Sequence, residues 1–105
     1  MKKLIKLMCV FALGFYSISP VYAGFKEHFD LGQQYLSNYQ YSGAITEFKS
    51  ALRINYLDNS ARIGLINSYL ARGTYYANTD KDYKKAADDY RAALFYLVYY
   101  PNANQ

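Results

Sequence analysis

The chain has little of the chemistry that most active sites use. Its 105 residues include one cysteine, one histidine and no tryptophan. Cys9 lies near the start, and a lone His28 cannot supply the several convergent donors that a metal site needs. No Ser-His-Asp motif, nucleophile elbow or phosphate-binding glycine loop occurs. We therefore predict that the protein is not an enzyme, with no catalytic residue, no cofactor and no metal.

The first 23 residues are typical of a secretory signal peptide. A basic start precedes an apolar core at residues 7–18 and a small-residue cleavage site before Gly24. The basic residues are Lys2, Lys3 and Lys6. The core is shorter than the ~20 residues that a membrane-spanning helix needs. We expect export, periplasmic or secreted, and the alternative is a membrane anchor formed by residues 4–22.

Charge excludes one class of partner. The formal net charge of +4 includes the three leader lysines, and without them nine basic and eight acidic side chains remain. Such a balance lacks the basic surface that nucleic-acid binding requires. We predict a protein or peptide partner and no nucleic acid.

A sequence pattern recurs along the rest of the chain. Tyr35 and Tyr69 are 34 residues apart, and three further pairs are 42 apart, which is the same period with eight inserted residues. These pairs are Ala44 and Ala86, Phe48 and Tyr90, and Ala51 and Ala93. A period in this range is typical of stacked helical pairs.

The repeated residues resemble the tetratricopeptide repeat (TPR) family. The matching packing positions are Leu31, Gly32, Tyr35, Ala44, Phe48, Ala51, Leu65, Tyr69, Ala86, Tyr90 and Ala93. Ile66 departs from the pattern, because it stands where the first repeat has Gly32. The alternative is two unrelated amphipathic hairpins.

The resemblance implies an all-α domain at residues 24–100, with antiparallel helix hairpins stacked as a short right-handed superhelix. The first repeat covers about 25–58, and the second covers about 59–99 with an insertion at 74–81. Residues 101–105 form a tail.

We predict helices near residues 25–38, 41–54, 60–73 and 82–99. Asp58, Asn59 or Ser60 can cap the third helix, and Asp82 the fourth, by accepting orphan N–H groups. Gly73 is expected to close the third helix as a C′ glycine.

The resemblance also implies a partner groove lined by the first helix of each repeat. Its residues are Lys26, Phe29, Gln33, Leu36, Ser60, Ile63, Asn67 and Leu70. Apolar anchors with amides between them suit an extended or helical peptide. The alternative is that several of these residues are buried against neighbouring helices.

The last predicted helix is apolar almost all round. Its candidate association face consists of Leu94, Phe95, Leu97, Val98 and Tyr99. An exposed patch of this kind marks an interaction site, here a homodimer or a further segment. Tyr75 and Tyr76 lie in the insertion, where they either fold over the helix ends or contact a partner.

The sequence thus predicts an exported interaction module, acting as a scaffold or assembly factor. The alternatives are the N-terminal fragment of a longer repeat array, or a signal-anchored TPR protein, with no autonomous activity.

Overall fold

The computed structural model describes residues 20–100, and the side chains of residues 24–100. This part of the chain is all-α, as predicted. It contains four α-helices, namely α1 (Pro20–Ser37), α2 (Tyr41–Ile54), α3 (Asn59–Tyr75) and α4 (Tyr83–Leu94). A π-helical turn follows α3 at Tyr76–Asp80, and another follows α4 at Phe95–Tyr99. The residues of the expected signal peptide before Pro20, and the tail at 101–105, lie outside the described residues.

The helix α1 begins earlier than predicted. Its first residue is Pro20. A proline fits the first turn of a helix, because the N–H that it lacks would have no intrahelical partner there. The predicted cleavage point before Gly24 falls inside α1.

The helices form two antiparallel hairpins, α1–α2 and α3–α4, which pack together mainly through α2 and α3. The core shares residues of both hairpins, and Phe48 and Leu65 are its largest fully buried apolar side chains. A Cβ built on Gly32 of α1 would lie 2.8 Å from the ring of Phe48, and one built on Gly64 of α3 would lie 2.6 Å from it. The two glycines therefore let α1 and α3 both approach the ring of Phe48 on α2.

Side-chain caps define the starts of α3 and α4. Asp58 Oδ1 accepts a hydrogen bond from the backbone N–H of Ala61 at 2.9 Å, and Asp82 Oδ1 accepts one from that of Lys85 at 3.1 Å. Both satisfy donors that a helix start leaves without an intrahelical partner. The capping predictions for Asp58 and Asp82 are confirmed.

The insertion at 74–81 lengthens the second hairpin. The helix α3 passes through Gly73 and ends at Tyr75, so the prediction that Gly73 closes this helix is wrong. A Cβ on Gly73 would instead lie 2.8 Å from the ring of Tyr90. Tyr90 therefore packs on a glycine about two helical turns beyond Ile66, the residue that stands where the first repeat has Gly32.

Three predicted packing positions are partly exposed, namely Tyr35, which is half-exposed, and the more exposed Leu31 and Tyr90. Leu31 is 39% exposed, because it lies about 100° around α1 from Gly32 and turns away from α2. Tyr90 is also 39% exposed. One side of its ring covers Gly73, and its hydroxyl is 3.1 Å from Thr74 Oγ1. The expected burial of Leu31 is therefore wrong, and that of Tyr90 holds for one side of its ring.

The end of the second hairpin is tied to α3. Arg62 Nη1 donates a hydrogen bond to the backbone oxygen of Tyr96 at 3.0 Å. The ring of Tyr96 stacks on that of Tyr69, with centroids 6.1 Å apart. These contacts, from the first and third turns of α3, hold the π-helical turn at Phe95–Tyr99 against that helix.

Candidate functional site

A shallow groove of about 300 Å³ lies between α1 and α3. We call it the α1–α3 groove, and its lining residues are Phe29, Gln33, Leu36, Ser60, Ile63, Gly64 and Asn67. Six of the eight residues predicted for a partner groove are in this set. The helices α1 and α3, which are not consecutive in the sequence, therefore bring these side chains together.

The apolar side chains of the groove differ in their exposure to solvent. Ile63 is 51% exposed. Phe29 and Leu36 are half-buried, and the ring of Phe29 meets that of Phe48 edge-on with centroids 5.7 Å apart. Phe29 is thus partly a core residue, as the alternative interpretation held.

Two predicted groove residues lie outside the lining set. Lys26 is exposed, and its Nζ donates to Asp30 Oδ2 at 2.8 Å. This hydrogen bond and the charge of Asp30 raise the pKa of Lys26. Leu70 is exposed further along α3. Neither side chain contributes to the groove wall.

A second cavity was not anticipated from the repeat pattern. It has a volume of about 800 Å³ and lies where the α1–α2 turn meets the end of α3. We call it the tyrosine pocket, and it is lined by Tyr35, Tyr39, Gln40, Tyr41, Ser42, Gly43, Arg72, Tyr75 and Tyr76. Tyr75 and Tyr76 are the insertion residues that the repeat pattern does not require, which was the one available sequence signal.

Arg72 links the two hairpins at the tyrosine pocket. Its Nε and Nη2 donate to the two carboxylate oxygens of Asp89, each at 2.8 Å, and its Nη1 donates to Ser42 Oγ at 2.9 Å. The guanidinium also lies 5.7 Å from the ring centroid of Tyr76. The hydrogen bond to Asp89 raises the pKa of Arg72 above its already high value.

A third surface combines basic and aromatic side chains on α2 and the end of the second hairpin. This surface contains a cavity of about 290 Å³, which is lined by Lys49, Leu52, Arg53, Tyr56, Tyr96 and Tyr100. Burial raises the pKa of Tyr96 and of Tyr100. Lys49 and Arg53 form no ion pair with any described residue.

The candidate association face is exposed along its whole length. Leu97 is 60% and Tyr99 57% exposed, and Leu94, Phe95 and Val98 are also exposed. All five side chains named in the association hypothesis are therefore exposed, as that hypothesis requires.

His28 lies between the first two helices. Its Nδ1 is 2.6 Å from Glu47 Oε1, so it joins α1 to α2 as a hydrogen-bonding residue. Within residues 20–100, no group of three or more histidine, cysteine or acidic side chains is arranged to hold a metal ion. Nor does any helix of that region combine the length and apolar character needed to cross a membrane.

The described residues define a class, that of all-α proteins built from two packed antiparallel helical hairpins. Comparison of the chain with protein-family models, with curated proteins and with solved structures gave no match.

Proposed function

We propose that this chain is an exported interaction module of the TPR kind, which binds an apolar protein segment in the α1–α3 groove. The observation that carries the proposal is the assembly of that groove. Side chains that the repeat pattern places on the first helix of each repeat line one surface, although Phe29 and Ile63 are a full repeat apart in the sequence. Repeat proteins commonly use such surfaces to hold partners.

The composition of the groove favours an uncharged partner segment. Phe29, Leu36 and Ile63 provide apolar contacts, and the amides of Gln33 and Asn67 can donate and accept hydrogen bonds between them. No charged side chain lines this groove. A helical or extended segment with two or three apolar anchors matches this arrangement.

Ile63→Glu tests the groove. Because Ile63 is half exposed, a carboxylate can reach water there, and we expect the helicity and melting temperature to stay close to those of the parent chain. Phe29 is less suitable, since its contact with Phe48 makes a charged substitution destabilising. Leu57→Glu is the matched control, because Leu57 is similarly exposed and lies outside the groove.

The measurement is co-purification of partners from an envelope fraction. We expect a protein that the parent chain and Leu57→Glu retain, and that Ile63→Glu loses. Retention by all three chains, or loss with both variants, would contradict the assignment of the partner site to this groove.

Export is supported by the lysines, the apolar core and the small residues before Gly24. Intact-mass measurement of the protein from the envelope fraction tests it, and a mature chain that begins at Gly24 is the expected result. Full-length chain found only in the membrane would instead support an anchor at residues 4–22.

The exposed association face supports a second candidate function. Under this second candidate, the chain is one segment of a longer repeat array, and a following helix covers the exposed side chains of Leu94, Leu97 and Val98. Solution mass of this chain distinguishes this candidate from one in which two copies cover each other.

A further inference from the structure

The tyrosine pocket is larger than the α1–α3 groove and lies at a different place in the fold. Its volume of about 800 Å³ is within the ~300–1,000 Å³ that ligand sites usually have. Aromatic rings make up most of its wall, with polar atoms from Gln40 and Ser42. Mostly apolar walls with a few polar groups are the usual composition of a binding pocket.

One wall residue of the pocket, Arg72, is held in place before any ligand arrives. Asp89 is only 5% exposed and binds Arg72 through both carboxylate oxygens. Arg72 in turn donates to Ser42, a residue of the other hairpin. A paired, buried carboxylate of this kind fixes the guanidinium, so the pocket loses little freedom when it binds a ligand.

The pair also determines the charge that a ligand meets. Asp89 neutralises Arg72, so an anion would gain little net attraction at this site. A guanidinium has five N–H donors, and three of those of Arg72 are used by Asp89 and Ser42. The remaining donors, with the tyrosine hydroxyls, favour a neutral ligand that accepts hydrogen bonds.

Tyr39 supplies an independent reason to assign a ligand to this pocket. Its φ of 63° lies in the left-handed region, where glycine or asparagine is usual. It closes α1 in a Schellman motif, in which the N–H of Gln40 donates to the backbone oxygen of Tyr35 at 2.8 Å. Yet its side chain is 78% exposed, so packing does not compensate for the backbone strain. The cap accounts for the backbone conformation but not for a tyrosine in place of glycine or asparagine, and a ring at the pocket rim suits contact with a ligand.

We propose that the tyrosine pocket binds a proline-rich peptide segment in the polyproline II conformation. Such a segment has no internal hydrogen bonds, so its backbone carbonyls are free to accept bonds from tyrosine hydroxyls and from Arg72. Its pyrrolidine rings are apolar and rigid, and they pack on aromatic faces such as those of Tyr39 and Tyr75 with little loss of entropy. This site does not depend on the α1–α3 groove, and either can be correct without the other.

The test is calorimetric titration of the purified chain with decaproline. A glycine-serine decamer of equal length has free carbonyls but no pyrrolidine rings, and we expect it not to bind. Tyr39→Gly and Tyr75→Ala each remove a wall ring at an exposed position, and we expect about tenfold weaker binding of decaproline in each. Tyr83→Ala is the control, since Tyr83 is 65% exposed and lies outside the pocket.

Thermal unfolding of Tyr39→Gly separates loss of the ligand from loss of the fold. We expect this variant to melt at or above the temperature of the parent chain, because glycine relieves the left-handed strain. Asn38→Gly, next to it but at negative φ, is expected to melt lower.

Four results would overturn the proposal. They are no heat from decaproline at millimolar concentration, equal affinity for the glycine-serine peptide, equal affinity in the parent chain and Tyr39→Gly, and binding of a neutral oligosaccharide such as maltohexaose in place of decaproline.

Discussion

Phe48 and Gly64 are so close that a Cβ on the glycine would lie 2.6 Å from the phenyl ring. Phe48 is fully buried, and the ring also lies against Gly32 of α1, so it has no free space into which to move. The contact between α2 and α3 therefore depends on the absence of a side chain at position 64. This close contact is at the centre of the core that the two hairpins share.

Gly64→Ala should consequently destabilise the protein, although alanine is the better helix former. We expect a loss of about 1–3 kcal/mol in the free energy of unfolding, from overpacking against Phe48. Gly43→Ala is the matched control. Its Cβ would meet the half-exposed ring of Tyr35 at 3.0 Å, and that ring can shift. There the gain in helix propensity, up to ~1 kcal/mol, should offset the contact. Urea unfolding of both variants decides, and equal stability changes would contradict the packing argument.

The pair of Arg72 and Asp89 gives a second prediction. Asp89 is almost fully buried, so Asp89→Asn leaves the half-buried guanidinium of Arg72 with a weaker, uncharged acceptor. We expect a loss of about 2–3 kcal/mol of stability, less than the ~3–5 kcal/mol usual for breaking a fully buried pair, since Arg72 is partly solvated. Asp88→Asn, one residue earlier and exposed, should change stability by less than ~0.5 kcal/mol. A similar loss in both variants, measured by urea unfolding, would show that the buried pair does not stabilise the contact between α3 and α4.

Much of the secondary structure follows from local sequence signals. Asp58 and Asp82 are short acceptors placed just before apolar periodic segments, and both act as caps. The spacing of Ala44, Phe48 and Ala51 places them on one helix face, and all three are fully buried. Such features depend on residues within a few turns of one another, so a sequence pattern contains them.

What could not be predicted depends on the tertiary arrangement. The eight inserted residues move Tyr90 onto Gly73, and neither residue alone indicates that shift. The tyrosine pocket combines the α1–α2 turn with the end of α3, so residues such as Tyr41 and Tyr75 meet only after the hairpins pack, with ring centroids 6.5 Å apart. The groove residues were predictable because the repeat pattern itself places them on corresponding helices.

Stability should fall in alkaline solution because of buried tyrosines. Burial raises the pKa of Tyr69 above its ordinary value of about 10, so the folded state keeps a proton that the unfolded state loses. The stabilisation is fully present below pH ~10 and decreases as pH rises through the pKa of the folded state. Burial raises the pKa of Tyr96 in the same direction.

Unfolding free energies measured between pH 8 and 11.5 test this prediction. Tyr69→Phe should show a smaller alkaline decrease than the parent chain, because the titrating hydroxyl is gone. Tyr83→Phe removes the same group from an exposed ring and is the matched control. If the two variants show equal alkaline decreases, Tyr69 is not a source of the effect.

The last prediction concerns the candidate association face. Leu94, Leu97 and Val98 are each at least 50% exposed, and Phe95 and Tyr99 extend the same patch. Terminal units of repeat proteins normally carry a polar outer surface, and an apolar patch of several hundred Å² marks an interaction site. We therefore expect the chain to self-associate through this face at high micromolar concentration, unless a further segment covers it.

Leu97→Asp places a charge in the patch and should shift the mass measured by light scattering to that of a monomer. Leu57→Asp, at a similarly exposed leucine outside the patch, should leave the mass unchanged. A parent chain that is monomeric at that concentration, and indifferent to Leu97→Asp, would show that this face does not join two copies.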